Sequence, residues 1–208
     1  MHLIGGCMFY KKVFFVRHGQ SVANQCALFG LDQPLSDEGI GQALDVKSYF
    51  DCIRDDLGLL VSSDMERAIG TAKRIFPDRN TLILDKRFRE IHFGLLEGKP
   101  LTDEILKELQ EDPLRIKTKY RGDDVWVRAK KAVQALQTYI SLSVGDVVLI
   151  GHDTLFECML QQVGYYDMAN GGETPFLLWA DRCRFSNCGI LKVDSSLFLR
   201  KRMVCGAK

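Results

Sequence analysis

Four short apolar runs punctuate the chain, at residues 13–16, 59–61, 82–84 and 147–150, each too brief for a helix. Uninterrupted apolar runs of this length predict strands buried on both faces, as in a parallel sheet. Between them the pattern changes to apolar residues three and four apart. Ser36-Asp37-Glu38 predicts a helix start: Ser36 as N-cap, acids in the first turn facing the positive helix end, then Ile40, Ala43 and Leu44 as the buried stripe. Asp64 predicts a second start, with Met65, Ala68, Ile69, Ala72 and Phe76 on one face and Pro77 as the stop. Further helices are predicted over 102–110, 123–141 and 154–163. Alternating strands and helices predict an α/β fold, a three-layer sandwich with a mostly parallel central sheet and helices on both faces. The tail departs from this rhythm. Residues 188–193 and 197–203 predict two strands around a turn at Asp194-Ser195-Ser196, an edge hairpin, and Gly171-Gly172-Glu173-Thr174-Pro175 predicts a loop.

Composition narrows this picture. A chain of 208 residues suits one α/β domain, here read as a short N-terminal extension over 1–12 and a single domain over 13–208. The formal net charge of +1 gives no electrostatic footprint for nucleic acid or an anionic membrane. Lys11-Lys12 and Arg200-Lys201-Arg202 read as solvated surface. No apolar run is long enough to span a bilayer, and residues 1–8 lack the basic leading region of a signal peptide, so they read as a disordered or loosely docked extension. The seven cysteines are odd in number and without a CxxC pair, which points to free thiols in a reducing, cytoplasmic compartment; a Cys183–Cys188 bridge is the alternative. Four histidines with no HxxxH pair speak against a histidine-rich metal site.

The chemistry collects where the strands end. Arg17-His18-Gly19 follows the first, Ser62-Ser63-Asp64 and then Arg67 the second, and Gly151-His152-Asp153 the fourth. In open α/β sheets, ligands bind beyond the carboxyl ends of the strands. Two guanidinium forks and two imidazoles at one sheet edge, beside helix N-termini, predict a phosphate site. A neutral His18 can attack phosphorus and hold it as a phosphoramidate, with cations stabilising the transferring oxygens. The leaving alkoxide needs a proton from an acid of raised pKa. Glu90, in a partly apolar segment, and Asp153, beside His152, both qualify on residue chemistry alone.

These residues resemble the histidine phosphatase superfamily, in its phosphoglycerate mutase-like branch. The resemblance is carried by Arg17-His18-Gly19 with Ser21 and Asn24; by Gly30-Leu31-Asp32-Gln33-Pro34-Leu35-Ser36 with Gly39, Gln42 and Ala43; by Ser62-Ser63 through Arg67-Ala68 with Thr71-Ala72; and by Phe88-Arg89-Glu90 through Gly94, Glu97 and Gly98. It implies that His18 is the phosphohistidine nucleophile and Glu90 the acid/base. It further implies that Arg17, Asn24, Arg67 and His152 bind the phosphoryl group, and that no metal or other cofactor takes part. Two positions depart from the pattern. Gln20 stands where Glu is usual, and Asp153 follows His152 where Gly is usual. A His-Asp pair resembles the acid phosphatase and phytase branch, where the Asp is the proton donor, but the R-x-P that accompanies it there is missing after Gly19. Glu90 is therefore the expected acid and Asp153 its rival.

The expected activity is a metal-independent phosphatase acting on a small phosphorylated metabolite. A mutase reading is weakened by Ile91, which stands where the resemblance expects Arg in mutases, and by the short span between Glu90 and His152. A catalytically weak phospho-ligand-binding protein of the same fold is the remaining alternative. Specificity is expected from Phe29, Leu31, Arg87, Arg89, Lys99 and residues 102–120.

Overall fold

A computed structural model describes residues 11–165 and 186–199. Five strands form one sheet: β1 (Lys12–Arg17), β2 (Leu57–Ser62), β3 (Leu82–Leu84), β4 (Asp146–Gly151) and β5 (Ile190–Asp194), in the order β3-β2-β4-β1-β5. The first four are mutually parallel, and β5 runs antiparallel to β1 along the edge. Between them lie α1 (Val22–Gln25), α2 (Asp37–Asp51), α3 (Glu66–Ile75), α4 (Asp103–Glu111), α5 (Arg115–Thr118), α6 (Val125–Leu142) and α7 (Asp153–Gln162).

Strand side chains alternate between the two faces, which is why uniformly apolar runs were required. Phe14 and Val16 of β1 with Val148 and Ile150 of β4 bury against Ala43 and Phe50 of α2 and Ala68, Ala72 and Ile75 of α3. Val13, Phe15, Val147 and Leu149 point the other way, into a larger core with Ala132, Val133 and Leu136 of α6 and Leu155, Phe156 and Met159 of α7. This is the three-layer α/β sandwich that the strand–helix alternation predicts.

Several local expectations give way. Leu44, expected in the buried stripe of α2, and Leu84, expected in a strand buried on both faces, are each about half exposed. Asp64 does not cap α3. Met65 is the N-cap and offers no side-chain bond, while Asp32, from a distant loop, accepts the Glu66 N–H at 2.9 Å. Asp64 is instead held by Arg89 through two bonds of 2.6 and 2.8 Å. The tail is not a hairpin: β5 pairs with β1, and Ser196–Leu199 is helical. Asp194 Oδ1 accepts the Ser196 N–H at 2.9 Å and turns the chain, so that Leu197 and Phe198 are buried and Gln137 of α6 donates to the Phe198 carbonyl at 2.6 Å. Tertiary burial there outweighs the strand-like local pattern. Lys11 is not merely solvated, since its Nζ donates to the carbonyls of Ile140 and Ser143, which end α6 without intrahelical partners.

Cys26, Cys52, Cys158 and Cys188 are free thiols. The N-terminal extension up to residue 10, Cys183, the loop 171–175, the basic cluster 200–202 and the end of the second tail strand lie outside the described residues.

Candidate active site

Register brings the site together. Arg17 lies abreast of Gly151, and Ser62 abreast of Ile150. One residue further, the His18 N–H donates to the Gly151 carbonyl at 3.0 Å and the Ser63 N–H to the Ile150 carbonyl at 2.9 Å. His18, Ser63 and His152 therefore leave the sheet side by side, with the two imidazole centroids 5.1 Å apart. From the neighbouring β3, Asp85 continues the ladder to the Ser62 carbonyl at 2.9 Å and starts the turn that leads to Glu90. Gly19 serves packing here: a Cβ would stand 2.5 Å from the Gly39 carbonyl oxygen of α2. Its N–H donates to Thr71 Oγ1 at 2.9 Å, and that hydroxyl donates to the Arg67 carbonyl at 2.8 Å, tying the His18 loop to α3.

His18 is buried and held at both ring nitrogens. Nδ1 sits 2.6 Å from the Gly19 carbonyl oxygen, which accepts only an N–H, so the network assigns the proton to Nδ1. Nε2 then carries the lone pair and accepts from Arg67 Nε at 3.0 Å. Burial, then Arg67 and Arg17, hold the imidazole pKa well below its ordinary value, with the Gly19 carbonyl opposing. The ring is thus neutral at neutral pH, with a lone pair aimed at the guanidinium that would hold an incoming oxyanion. Arg67 is itself buried and oriented: Nη1 donates to the Leu31 carbonyl at 2.8 Å and lies 3.7 Å from Asp32.

His152 is fully buried, and its Nε2 lies 2.8 Å from Ser63 Oγ. Its Nδ1 has no hydrogen-bond partner among the described residues. A buried ring nitrogen left open beside two arginines invites a ligand. Burial, then Arg67, His18, Arg17 and Arg128, keep this imidazole neutral as well. Asp153 opens α7 but makes no cap bond: His152 is the N-cap position, and the Asp153 carboxylate lies 3.6 Å from Arg17 Nη1.

Glu90 takes a different environment. Its Oε1 accepts the N–H of Ile91 at 2.9 Å and of Leu155 at 3.1 Å, which docks the carboxyl against the first turn of α7. Burial raises its pKa above the ordinary carboxyl range; the Asp153 charge acts the same way, while the two N–H bonds and Arg67 oppose. Asn24 sits in α1, where its Oδ1 closes a capping box with Ser21 at 3.2 Å to the backbone N–H and 3.0 Å to the hydroxyl. It makes no hydrogen bond to the other site side chains, so the structure orients it through its own helix.

Beside Glu90 opens a cleft of about 460 Å³, lined by Lys86, Arg87, Arg89, His92, Arg128 and Lys131 among others. Arg87 and Arg89 of the expected specificity set line it. Phe29 does not, being buried against Phe93 with ring centroids 5.2 Å apart. Residue patterns alone did not single out Asp32, Thr71, Arg128 or Lys131. Asp32 and Thr71 lie inside the motif segments; Arg128 and Lys131 lie on α6, and only tertiary packing brings them near Glu90. Among the described residues, no group of three or more His, Cys, Asp or Glu is gathered as a metal site, and no helix is long and apolar enough to cross a membrane.

This geometry agrees with what the chain is similar to. The family described as histidine phosphatase superfamily (branch 1) matches residues 13–186. A probable phosphoglycerate mutase, GpmB, of Yersinia pestis is 26% identical over 197 residues, covering 88% of this chain and 84% of that protein. A phosphoserine phosphatase variant from Entamoeba histolytica, solved with phosphoserine, superposes with a TM-score of 0.67 at 22% identity, covering 87% of this chain and 89% of that one. A phosphoglycerate mutase from Bacillus anthracis gives 0.66 at 18% identity, covering 91% and 95%. Fold, strand-end histidines and the length of the match converge: the chain belongs to the histidine phosphatase superfamily, branch 1.

Proposed function

We propose that this chain is a phosphoric monoester hydrolase that works through a phosphohistidine on His18. The observation that carries the proposal is the pinned tautomer: Nδ1–H donated to the Gly19 carbonyl and Nε2 facing Arg67. In the first step Nε2 attacks phosphorus in line, forming an N–P bond as the ester P–O bond breaks. Arg17, Arg67, His152 Nδ1–H and the Asn24 amide take the phosphoryl oxygens and stabilise the charge spread over them. Glu90, protonated, gives its proton to the leaving oxygen. In the second step Glu90 takes a proton from water, which attacks the phosphohistidine and releases inorganic phosphate. The cations needed for a phosphoryl group are supplied by arginine, so the scheme calls for no metal.

Glu90 rather than Asp153 suits the donor role, because Asp153 is drawn to the phosphate-binding Arg17. Water rather than a second substrate hydroxyl is favoured as acceptor. Ile91 is buried with 1% exposure, and α4, α5 and α6 fill the span from Glu90 to His152. The volume of the cleft suits a small phosphorylated metabolite. The free thiols favour a reducing, cytoplasmic setting.

The test is turnover of an alkyl and an activated aryl phosphate, with acid quenching to look for acid-labile, base-stable phosphate on the protein. Glu90→Gln should lower alkyl phosphate turnover by about 10²–10⁴-fold and aryl turnover much less, since general acid catalysis matters for the poorer leaving group. Because Glu90 must be protonated to donate, wild-type kcat for the alkyl phosphate at saturating substrate should fall as pH rises through its raised pKa, and this limb should vanish in Glu90→Gln. Efficient interconversion of phosphoglycerates, or labelled His18 with no turnover, would overturn the hydrolase reading.

A further inference from the structure

The position that departs from the family pattern, Asp153, sits beside Arg17, one of the groups proposed to hold the phosphoryl oxygens. Its carboxylate is 3.6 Å from Arg17 Nη1, in the first turn of a ten-residue helix, with the residue only 6% exposed and no capping bond to hold it there. The adjoining polar groups are short of partners: His152 Nδ1 and the Thr154 hydroxyl are buried with none among the described residues. A carboxylate cannot satisfy both Arg17 and a bound dianion, because two anions sharing one guanidinium repel each other strongly in a pocket with little water.

We infer that Asp153 competes with the substrate's phosphoryl group for the Arg17 guanidinium, and so acts as a charge gate that admits an anion readily only when its carboxyl is protonated. The inference rests on reading the His18 pocket as the phosphoryl site. It makes Asp153 a positioning residue, acting through Arg17, and not a proton donor to the leaving group.

The charges around it set the sign. Arg17 of β1 faces it and favours the anionic form. Glu90, from the segment after β3, and Glu157, one turn along α7, are acidic neighbours, and the Asp153 charge is felt at Glu90. His18 and His152, from the ends of β1 and β4, are neutral through burial and the arginines around them. Arg67 of α3 faces His18, His152 and Glu90. Burial outweighs Arg17 and raises the Asp153 carboxyl above its ordinary value, so the gate opens at a higher pH than an ordinary aspartate would set.

The test is calorimetric binding of sulfate, a dianion that does not itself titrate between about pH 8 and about pH 5. Wild-type protein should bind sulfate about tenfold or more tightly at the acid end, the size of effect that one neighbouring charge exerts on an ionisation. Asp153→Asn should bind tightly already at about pH 8 and lose most of the slope, whereas Glu90→Gln should keep it. Asp153→Gly is the second variant, with thermal melting to confirm folding, and the wild-type slope needs no variant at all. A flat wild-type profile, a slope that survives in Asp153→Asn, or a slope removed by Glu90→Gln instead would overturn the gate. Failure of the wild type to bind either sulfate or inorganic phosphate would sink the phosphoryl-site reading, and the gate with it.

Discussion

The two ends of the site are built differently. The His18 end is made of side chains at strand ends and in the first turn of α3, fixed by buried bonds: His18 between Gly19 and Arg67, Arg67 between Leu31 and His18, His152 against Ser63. The outer cleft is lined by long cations on a turn and a helix face. Most are tied to nearby carboxylates: Arg87 to Asp85 at 2.9 and 3.0 Å, Arg89 to Asp64, Arg128 to Asp123 at 3.0 Å. Asp85 is buried and the Arg128–Asp123 pair is partly so, which leaves Arg89–Asp64 as the exposed pair, of a kind that contributes little to stability and rearranges at small cost. Under the proposed hydrolase reading, one end is committed to a single chemistry, while the other is free to vary with the substrate.

That contrast can be broken at several points. The largest effect is expected at the committed end. His18→Ala should abolish the acid-labile phosphate and lower turnover by about 10⁴-fold or more, as loss of a covalent nucleophile does. Its melting temperature should stay near wild type. Retained turnover would show that chemistry does not run through the pinned imidazole. A smaller and different effect is expected at the outer cleft. Lys86→Ala with Lys131→Ala should shift KM among phosphorylated substrates by about tenfold or less, through weaker long-range attraction, with kcat and sulfate affinity unchanged. Equal losses in kcat would merge the two ends into one. The smallest effect falls between them. Asp32→Ala removes the cap on α3 and a neighbour of Arg67, and should cost about 1 kcal/mol in denaturant unfolding, with a modest rise in KM. An unchanged midpoint would show that another group caps the helix.

The same contrast explains what was legible in the sequence. His18, Arg67 and His152 could be located because each follows a short apolar run, and parallel strands place such positions along one edge. Residue chemistry offers Glu90 and Asp153 alike as the acid, and only the motif segment favours Glu90, since burial against α7 is a tertiary fact; the raised pKa that separates Glu90 from an ordinary surface carboxylate follows from that packing. Asp32 as the cap of α3, and Arg128 at the rim of the cleft, depend on contacts between segments far apart in the chain, where local pattern has no purchase. The tail failed for a related reason. Two apolar stretches around Asp194-Ser195-Ser196 fit a hairpin as well as they fit one strand and a helical turn, and burial beside α6 decided between them.

The antiparallel edge strand carries one more consequence. The Arg17 N–H donates to the Gly189 carbonyl at 3.1 Å, and the His18 carbonyl accepts the Cys188 N–H at 3.2 Å. The backbone on either side of the His18 peptide is therefore completed by residues far along the chain, while the ring itself is set by Gly19 and Arg67. The presentation of this imidazole depends on contact between distant segments, so an unpaired edge strand would loosen His18 from behind without touching its side chain.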